Sequence, residues 1–121
     1  MTIEFRVAKN KDFTESLTKM NMRPYYENFS IDWDSAQFDK DWLVFDNFEI
    51  FYNNAVVGIV RVWFDKEACY LRDLQISPLH QRQGIGSAAI TKAIQIAKTK
   101  SYKKLRLRIF NTNPAIELYK K

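Results

Sequence analysis

The segment Gln81-Arg82-Gln83-Gly84-Ile85-Gly86-Ser87-Ala88 carries the residue types that hold a diphosphate without a metal. It follows an apolar stretch and opens an alanine-rich one, so it reads as a loop from strand to helix. A helix start leaves N–H groups without intrahelical partners and carries the positive end of the dipole. Phosphate oxygens accept from such groups. Glycines at 84 and 86 permit a sharp turn and let an anion approach the backbone. Arg82 adds charge and Ser87 a hydroxyl, while Ala88 and Ala89 let the helix pack close to a sheet. Two glycines before a helix also mark plain tight turns. Other phosphate loops fit less well. A Walker A loop ends in Gly-Lys-Ser/Thr, and no lysine follows these glycines. Gly84-x-Gly86-x-x-Ala89 matches a dinucleotide fingerprint on paper. The gap from Ile76 to Gly84 is too long for that fingerprint's turn, however, and no acid near position 105 is available for a ribose.

A second group of chemically capable residues lies upstream. Asp73 falls in the strand before the loop, and alternation puts it on the face opposite Leu74. It is a candidate general base or amine anchor. It also reads as a salt-bridged acid, with Arg61 or Arg72 as partner. Glu27, Asp32 and Asp34 share a segment with Tyr25, Tyr26 and Trp33, which could attract a cationic amine and stack on it. The same aromatics would equally close a core where helices meet. Cys69 sits in a strand interior with no histidine near in sequence, and His80 reads as a surface residue, so an acyl-cysteine mechanism is not required. One Cys and one His exclude an internal disulfide and a Cys/His zinc site.

The elements that position these residues follow from the hydrophobic pattern. Ile3, Phe5 and Val7 alternate as a short strand. Phe13, Leu17 and Met20 recur at helical spacing from Lys11 to Asn21, and Pro24 is expected to stop that helix. The stretch from Pro24 to Trp33 is aromatic and irregular. Ser35 is a candidate cap for a second helix, with Phe38, Trp42 and Phe45 inward. Phe48–Tyr52, Ala55–Phe64 and Tyr70–Ile76 read as three strands of an antiparallel meander. They are joined by turns at Asn53-Asn54 and Asp65–Glu67, and Gly58 marks a bulge or a close approach. Ile85–Lys100 is helical, with Ile85, Ala89, Ala93, Ile96 and Lys100 near one stripe. Leu105, Leu107 and Ile109 form a strand parallel to its neighbour through a right-handed crossover. Pro114 suits the first turn of a last helix capped by Asn113.

A chain of 121 residues predicts a single domain over 1–121. It is 46% hydrophobic and 27% charged, which argues against disorder. The formal charge of +5 favours an anionic partner only weakly. The basic excess concentrates after Leu79, where Glu117 is the lone acid, and the earlier half is mildly acidic. An anionic ligand would then meet the second half and a cationic one the first. An RNA partner on Lys98, Lys100, Lys103, Lys104, Arg106 and Arg108 lacks an interleaved stacking platform beyond Tyr102 and Phe110, so nucleic acid is disfavoured. No secretory signal or membrane-length apolar run is visible, which makes the cytoplasm the default location.

With these segments in place, the sequence resembles the GCN5-related N-acetyltransferases, the GNAT superfamily. Leu71-Arg72-Asp73-Leu74-Gln75-Ile76-Ser77-Pro78 looks like that family's fourth strand and its exit. Gln81–Gly86 matches its Gln/Arg-x-x-Gly-x-Gly/Ala pyrophosphate motif. Asn111-Thr112-Asn113-Pro114-Ala115-Ile116-Glu117-Leu118-Tyr119 looks like the segment with its cofactor-contacting Asn and its Tyr. The resemblance implies an α/β (α+β) fold with a mixed sheet, an antiparallel N-terminal meander and a parallel β–α–β unit. It implies acetyl-CoA as cosubstrate, no metal, and acetyl transfer by direct attack of a primary amine on a small molecule or protein.

By the same resemblance Leu74, Gln75 and Ile76 contact pantetheine, while Gln81, Arg82, Gln83, Gly84, Ile85, Gly86 and Ser87 hold the pyrophosphate. The Leu74 N–H stabilises the oxyanion. Tyr119 protonates the leaving thiolate, although it also suits a packed aromatic position. The family's asparagine position is Thr112 here, flanked by Asn111 and Asn113, and Asn113 is either a shifted cofactor contact or a helix cap. Such folds continue into two further strands, which are missing after Lys121. The expectation is a C-terminally shortened chain or a fold completed by another subunit, with a homodimer as one form of that. A non-catalytic acyl-CoA-binding regulatory module is the alternative reading.

Overall fold

The computed structural model describes residues 2–107. In chain order the elements are β1 (Ile3–Val7), α1 (Lys11–Asn28), α2 (Ser35–Val44), β2 (Asp46–Tyr52), β3 (Ala55–Phe64), β4 (Cys69–Ile76), α3 (Ile85–Thr99) and β5 (Leu105–Leu107), with a 3-10 turn at Pro78–His80 between β4 and α3. The strands form one sheet in the order β1-β2-β3-β4-β5. The first three pairings are antiparallel and β4–β5 is parallel, the mixed architecture the sequence implies.

The meander is set by its turns. Asn53 and Asn54 both take left-handed backbone angles (φ 49° and 69°), the geometry a two-residue hairpin needs and asparagine tolerates. At the next turn, one oxygen of Asp65 accepts the N–H groups of Glu67 and Ala68 at 2.7 and 2.8 Å. The other accepts the Tyr70 hydroxyl at 2.6 Å.

Three helical expectations need correction. α1 does not stop before Pro24 but runs through it to Asn28. The proline removes one N–H donor, a loss of about 3 kcal/mol or more in a free helix. Burial of Thr14, Leu17, Thr18 and Met22 against the sheet holds the helix regardless. That buried stripe leaves Met20 half-exposed, contrary to its expected inward role. α2 is capped by Asp34 rather than Ser35, with the carboxylate accepting from the Gln37 N–H at 3.0 Å. Phe45 lies just past that helix in extended backbone.

One face of the sheet packs on α3. Ile85, Ala89, Ala93 and Ala97, four residues apart, meet Val57, Val60 and Val62 of β3 and Cys69, Leu71, Leu74 and Ile76 of β4. The alanines keep the helix axis close to the strands. Lys100, expected on this stripe, instead reaches Asp46 at 3.1 Å on the surface. The other face receives α1.

Two register shifts decide which residues point where. One falls between Ile50 and Phe51 and leaves Val57 of β3 unpaired beside Gly58. The other leaves Arg72 of β4 unpaired, because Arg61 faces Asp73 while Val62 faces Leu71. An inserted residue resets the alternation of a strand. Leu71 and Leu74 therefore share the α3 face, and Asp73 and Gln75 turn to the opposite one.

Candidate functional site

The loop after β4 is braced by side chains from both ends. Gln81 Nε2 donates to the Ile76 carbonyl at 3.0 Å, and Gln83 Nε2 donates to the Leu79 carbonyl at 3.1 Å. Asn21 of α1 donates to the same Ile76 carbonyl at 2.9 Å. Arg82 and Gly84 take positive φ (62° and 86°), so the chain doubles back into α3. Gly84 is the N-cap and no side chain caps the helix. The first turn closes with the Ala88 N–H on the Gly84 carbonyl at 3.1 Å. The N–H groups ahead of Ala88 have no place in the intrahelical ladder. With exposed Arg82 beside them they form a donor set that fits a diphosphate. The side-chain amides of Gln81 and Gln83 are occupied in bracing, and the Gln81 N–H turns to the Pro78 carbonyl at 3.5 Å. Ile85 anchors the loop to the core at 1% exposure.

On the opposite face of β4 lies a cavity of about 340 Å³. Its lining includes Tyr26, Trp33, Phe38 and Phe45, the acids Asp32, Asp34, Asp41 and Asp73, and the cations Arg61 and Arg72. The aromatic segment expected to gather acids around a cationic amine does so for Tyr26, Asp32, Trp33 and Asp34. Glu27 lies instead at a neighbouring cavity, and Tyr25 packs on Phe29 with centroids 4.7 Å apart. Trp33 is held by its indole N–H, which donates to Glu15 at 2.8 Å.

Asp73 is the floor of this cavity. Its oxygens accept from Gln75 Nε2 at 2.8 Å and Thr18 Oγ1 at 3.3 Å, and Arg61 Nη1 stands 3.6 Å away. Of the two partners weighed for it, Arg61 is the one present. Arg72 lies over the Phe45 ring instead. Burial pushes the Asp73 carboxyl above its ordinary value, against the opposing pull of Arg61 and the hydrogen bonds. Burial likewise lowers Arg61, with Asp73 opposing. Tyr26 is raised, first by burial and then by the charge of Asp73.

β4 thus joins the two regions. Leu74, Gln75 and Ile76 are buried and lead into the loop, while Asp73 and Gln75 face the cavity. The parallel partners of β4 are described from Cys69 to Leu71. Ile109, Asn111, Asn113, Pro114 and Tyr119 lie outside the described residues. Cys69 is fully buried and its thiol is pushed up to about 11 by burial, consistent with an inert core residue. His80 is half-buried with its ring 6.2 Å from Tyr52, rather than a free surface residue. Asp41 and the cavity roles of Phe45 and Arg61 were missed by sequence reasoning. The signal for Arg61 was available: it is the one charged residue within the apolar run Ala55–Phe64.

Among the described residues no group of three or more His, Cys, Asp or Glu is placed to hold a metal ion. No described helix is long and apolar enough to cross a membrane.

Comparison with known proteins agrees with this architecture. The bovine thialysine N-epsilon-acetyltransferase is 40% identical over 52 residues, covering 42% of this chain and 31% of that protein. The chain therefore aligns with less than a third of that relative. A GNAT family acetyltransferase from Elizabethkingia anophelis, solved with acetyl-CoA bound, superposes with TM-score 0.74 at 22% identity, over 98% of this chain and 72% of the other. The IAA acetyltransferase of Bacillus cereus superposes with TM-score 0.77 at 14% identity, over 98% and 74%. At these identities the superpositions speak to the fold. The acetyltransferase (GNAT) family model matches residues 14–121, and this chain belongs to that family.

Proposed function

We propose that the chain transfers acetyl from acetyl-CoA to a primary amine of a small molecule by direct attack. The observation that carries this reading is the two-sided use of β4. Its end feeds the uncapped start of α3, and its Asp73 floors an acid- and aromatic-lined cavity on the other face. Acetyl-CoA supplies an acyl group already activated as a thioester. The chain's own residues then have three tasks. The amides from Gly84 to Ser87, with Arg82, hold the diphosphate. The backbone of Leu74, Gln75 and Ile76 lines the pantetheine path, and by the family motif the Leu74 N–H is proposed to stabilise the oxyanion in place of its contact with the Asp73 carboxylate. Asp73 keeps the attacking amine neutral by taking its proton, and Asp32, Asp34 and Asp41 draw the cation in.

Tyr119 is proposed as the proton donor to the departing thiolate, and Asn111 and Asn113 as further cofactor contacts, by the family motif. A small amine suits a cavity of about 340 Å³ better than a protein terminus does, and the bovine relative's name places its own acceptor among small amines. Calorimetry with acetyl-CoA is expected to show saturable one-to-one binding. Thiol release on mixing with an amine panel is expected to follow. Saturable binding with no thiol release from any amine would replace this reading with that of an acyl-CoA-binding regulatory module. The absence of binding would remove both.

A further inference from the structure

Arg61 is the most buried cation of the cavity lining, at 3% exposure, and its hydrogen bonding is incomplete. Its Nε donates to Asn47 Oδ1 at 2.8 Å. Its guanidinium carbon lies 4.5 Å from the centre of the Phe38 ring and 4.9 Å from that of Phe45. These contacts fix the plane of the fork. Yet Nη2 is buried with no hydrogen-bond partner. Nη1 stands 3.6 Å from Asp73 Oδ2, too far for a hydrogen bond. Asp73 is held from its other side by Gln75, which donates to Oδ1 at 2.8 Å, while Thr18 Oγ1, shared with the Thr14 carbonyl, lies 3.3 Å from Oδ2. The other charges facing Arg61 are Asp41, which attracts it, and Arg72, which repels it.

A buried guanidinium with an unmade bond is costly, and it is retained most readily where something supplies the missing acceptor. The group that matches a fixed planar fork is a carboxylate, which takes two parallel N–H bonds. We infer that the acceptor is an amino acid, a zwitterion whose carboxylate is taken by Arg61 and whose amine lies against Asp73 and the acids at the cavity rim. This rests on the acetyl-transfer reading for the direction of attack, but the carboxylate contact stands on Arg61 alone. A cavity of about 340 Å³ is of the size that encloses such a molecule. The excess of acids over cations in the lining explains why a bare dianion is not the expected occupant.

The test compares molecules that differ only by the carboxylate. Lysine is set against 1,5-diaminopentane and ornithine against 1,4-diaminobutane, with lysinamide, which has a neutral amide in place of the carboxylate, as the intermediate, on the 121-residue chain with acetyl-CoA. The amino acid is expected to exceed its decarboxylated partner by roughly 10- to 100-fold in kcat/KM. Arg61→Met is expected to abolish that ratio, bringing the amino acid and its diamine to within about 3-fold of each other in kcat/KM whatever activity the variant loses overall. Arg61→Lys keeps the charge without the fork and is expected to recover only part of it. Asn47→Ala, which leaves Arg61 but frees it, is expected to narrow the ratio, and this variant serves if the Arg61 variants do not fold. Diamines turned over as well as or better than their amino acids would overturn the inference.

If no amine is acetylated, the acetyl-transfer reading fails separately, and the same pairs are titrated by calorimetry into the chain loaded with coenzyme A. Saturable binding of the amino acid that Arg61→Met or Asn47→Ala weakens would then support the carboxylate contact. Binding of neither member, or equal binding of both, would overturn it.

Discussion

A Cβ built on Gly58 stands 2.5 Å from the carbonyl oxygen of Gln75 across the β3–β4 ladder, and 3.0 Å from Cδ1 of Ile76. The first contact is with backbone, which cannot swing aside, so the two strands meet here only because position 58 carries no side chain. Gly58→Ala is expected to lower stability by about 1–3 kcal/mol, read as the midpoint of chemical denaturation. Because the displaced strand leads into the phosphate loop, affinity for acetyl-CoA should fall with it. A variant as stable as the parent would contradict the close approach.

Gly84 makes the opposite case. Its φ is +86°, yet a Cβ there would meet nothing within 4 Å. The penalty for Gly84→Ala is therefore backbone strain alone, roughly 1–2 kcal/mol. Asparagine adopts this region more readily, so Gly84→Asn should retain more stability than Gly84→Ala. If the loop holds a diphosphate, Gly84→Ala should also weaken acetyl-CoA binding beyond what its modest loss of stability explains. Equal denaturation midpoints for the two variants would show that the left-handed angle is not the constraint.

Much of this was legible in the sequence because it rests on local chemistry. The strands alternate, the turns carry asparagine and aspartate, and the Gln81–Ser87 loop announces a helix start. Gly58 could be marked as a close approach from its place in an apolar run. The two helices were harder. Pro24 signals a stop, and only burial against the sheet, which sequence spacing does not reveal, carries α1 past it. The cavity was half visible: Asp32, Trp33 and Asp34 are neighbours in the chain, but Arg61 and Asp41 reach them through tertiary packing. The bulge at Arg72 has no glycine or proline to mark it. Counting by twos along β4 would put Leu71 on the side of Asp73, and the extra residue moves it to the side of Leu74.

Asp73 gives a prediction with a definite sign. Burial raises its folded-state pKa above the ordinary 3.8, with Arg61 and the hydrogen bonds opposing. A base must be ionised to accept a proton, so kcat/KM should fall tenfold per pH unit on the acid side of that raised pKa. This limb should lie above 3.8. Asp73→Asn should remove the limb along with most of the activity. The linkage follows the same direction. A raised folded-state pKa means that the group's contribution to stability is complete below 3.8 and lost as pH rises through the folded value. The stability difference between the parent and Asp73→Asn should therefore shift in the variant's favour across that window. An acid limb that persists in Asp73→Asn would assign the titration to another group.

Cys69 supplies the complementary window at high pH. The side chain is fully buried between β3, β5 and α3, and burial, with a smaller push from Asp46, raises the thiol from 9.0 to about 11, while Lys100 opposes. The thiolate is the reactive form, so the folded chain at pH 8 should resist iodoacetamide and react only once denatured. The folded-state pKa again lies above the unfolded one. Cys69 therefore contributes its full stability below about 9 and loses that contribution as pH rises to about 11. Relative to Cys69→Ala, whose alkaline denaturation otherwise reports the same lysines and tyrosines, the parent should lose stability faster across those two units. Alkylation of the folded chain at pH 8 at the rate of a free thiol would show that the start of β4 opens where the packing says it is closed.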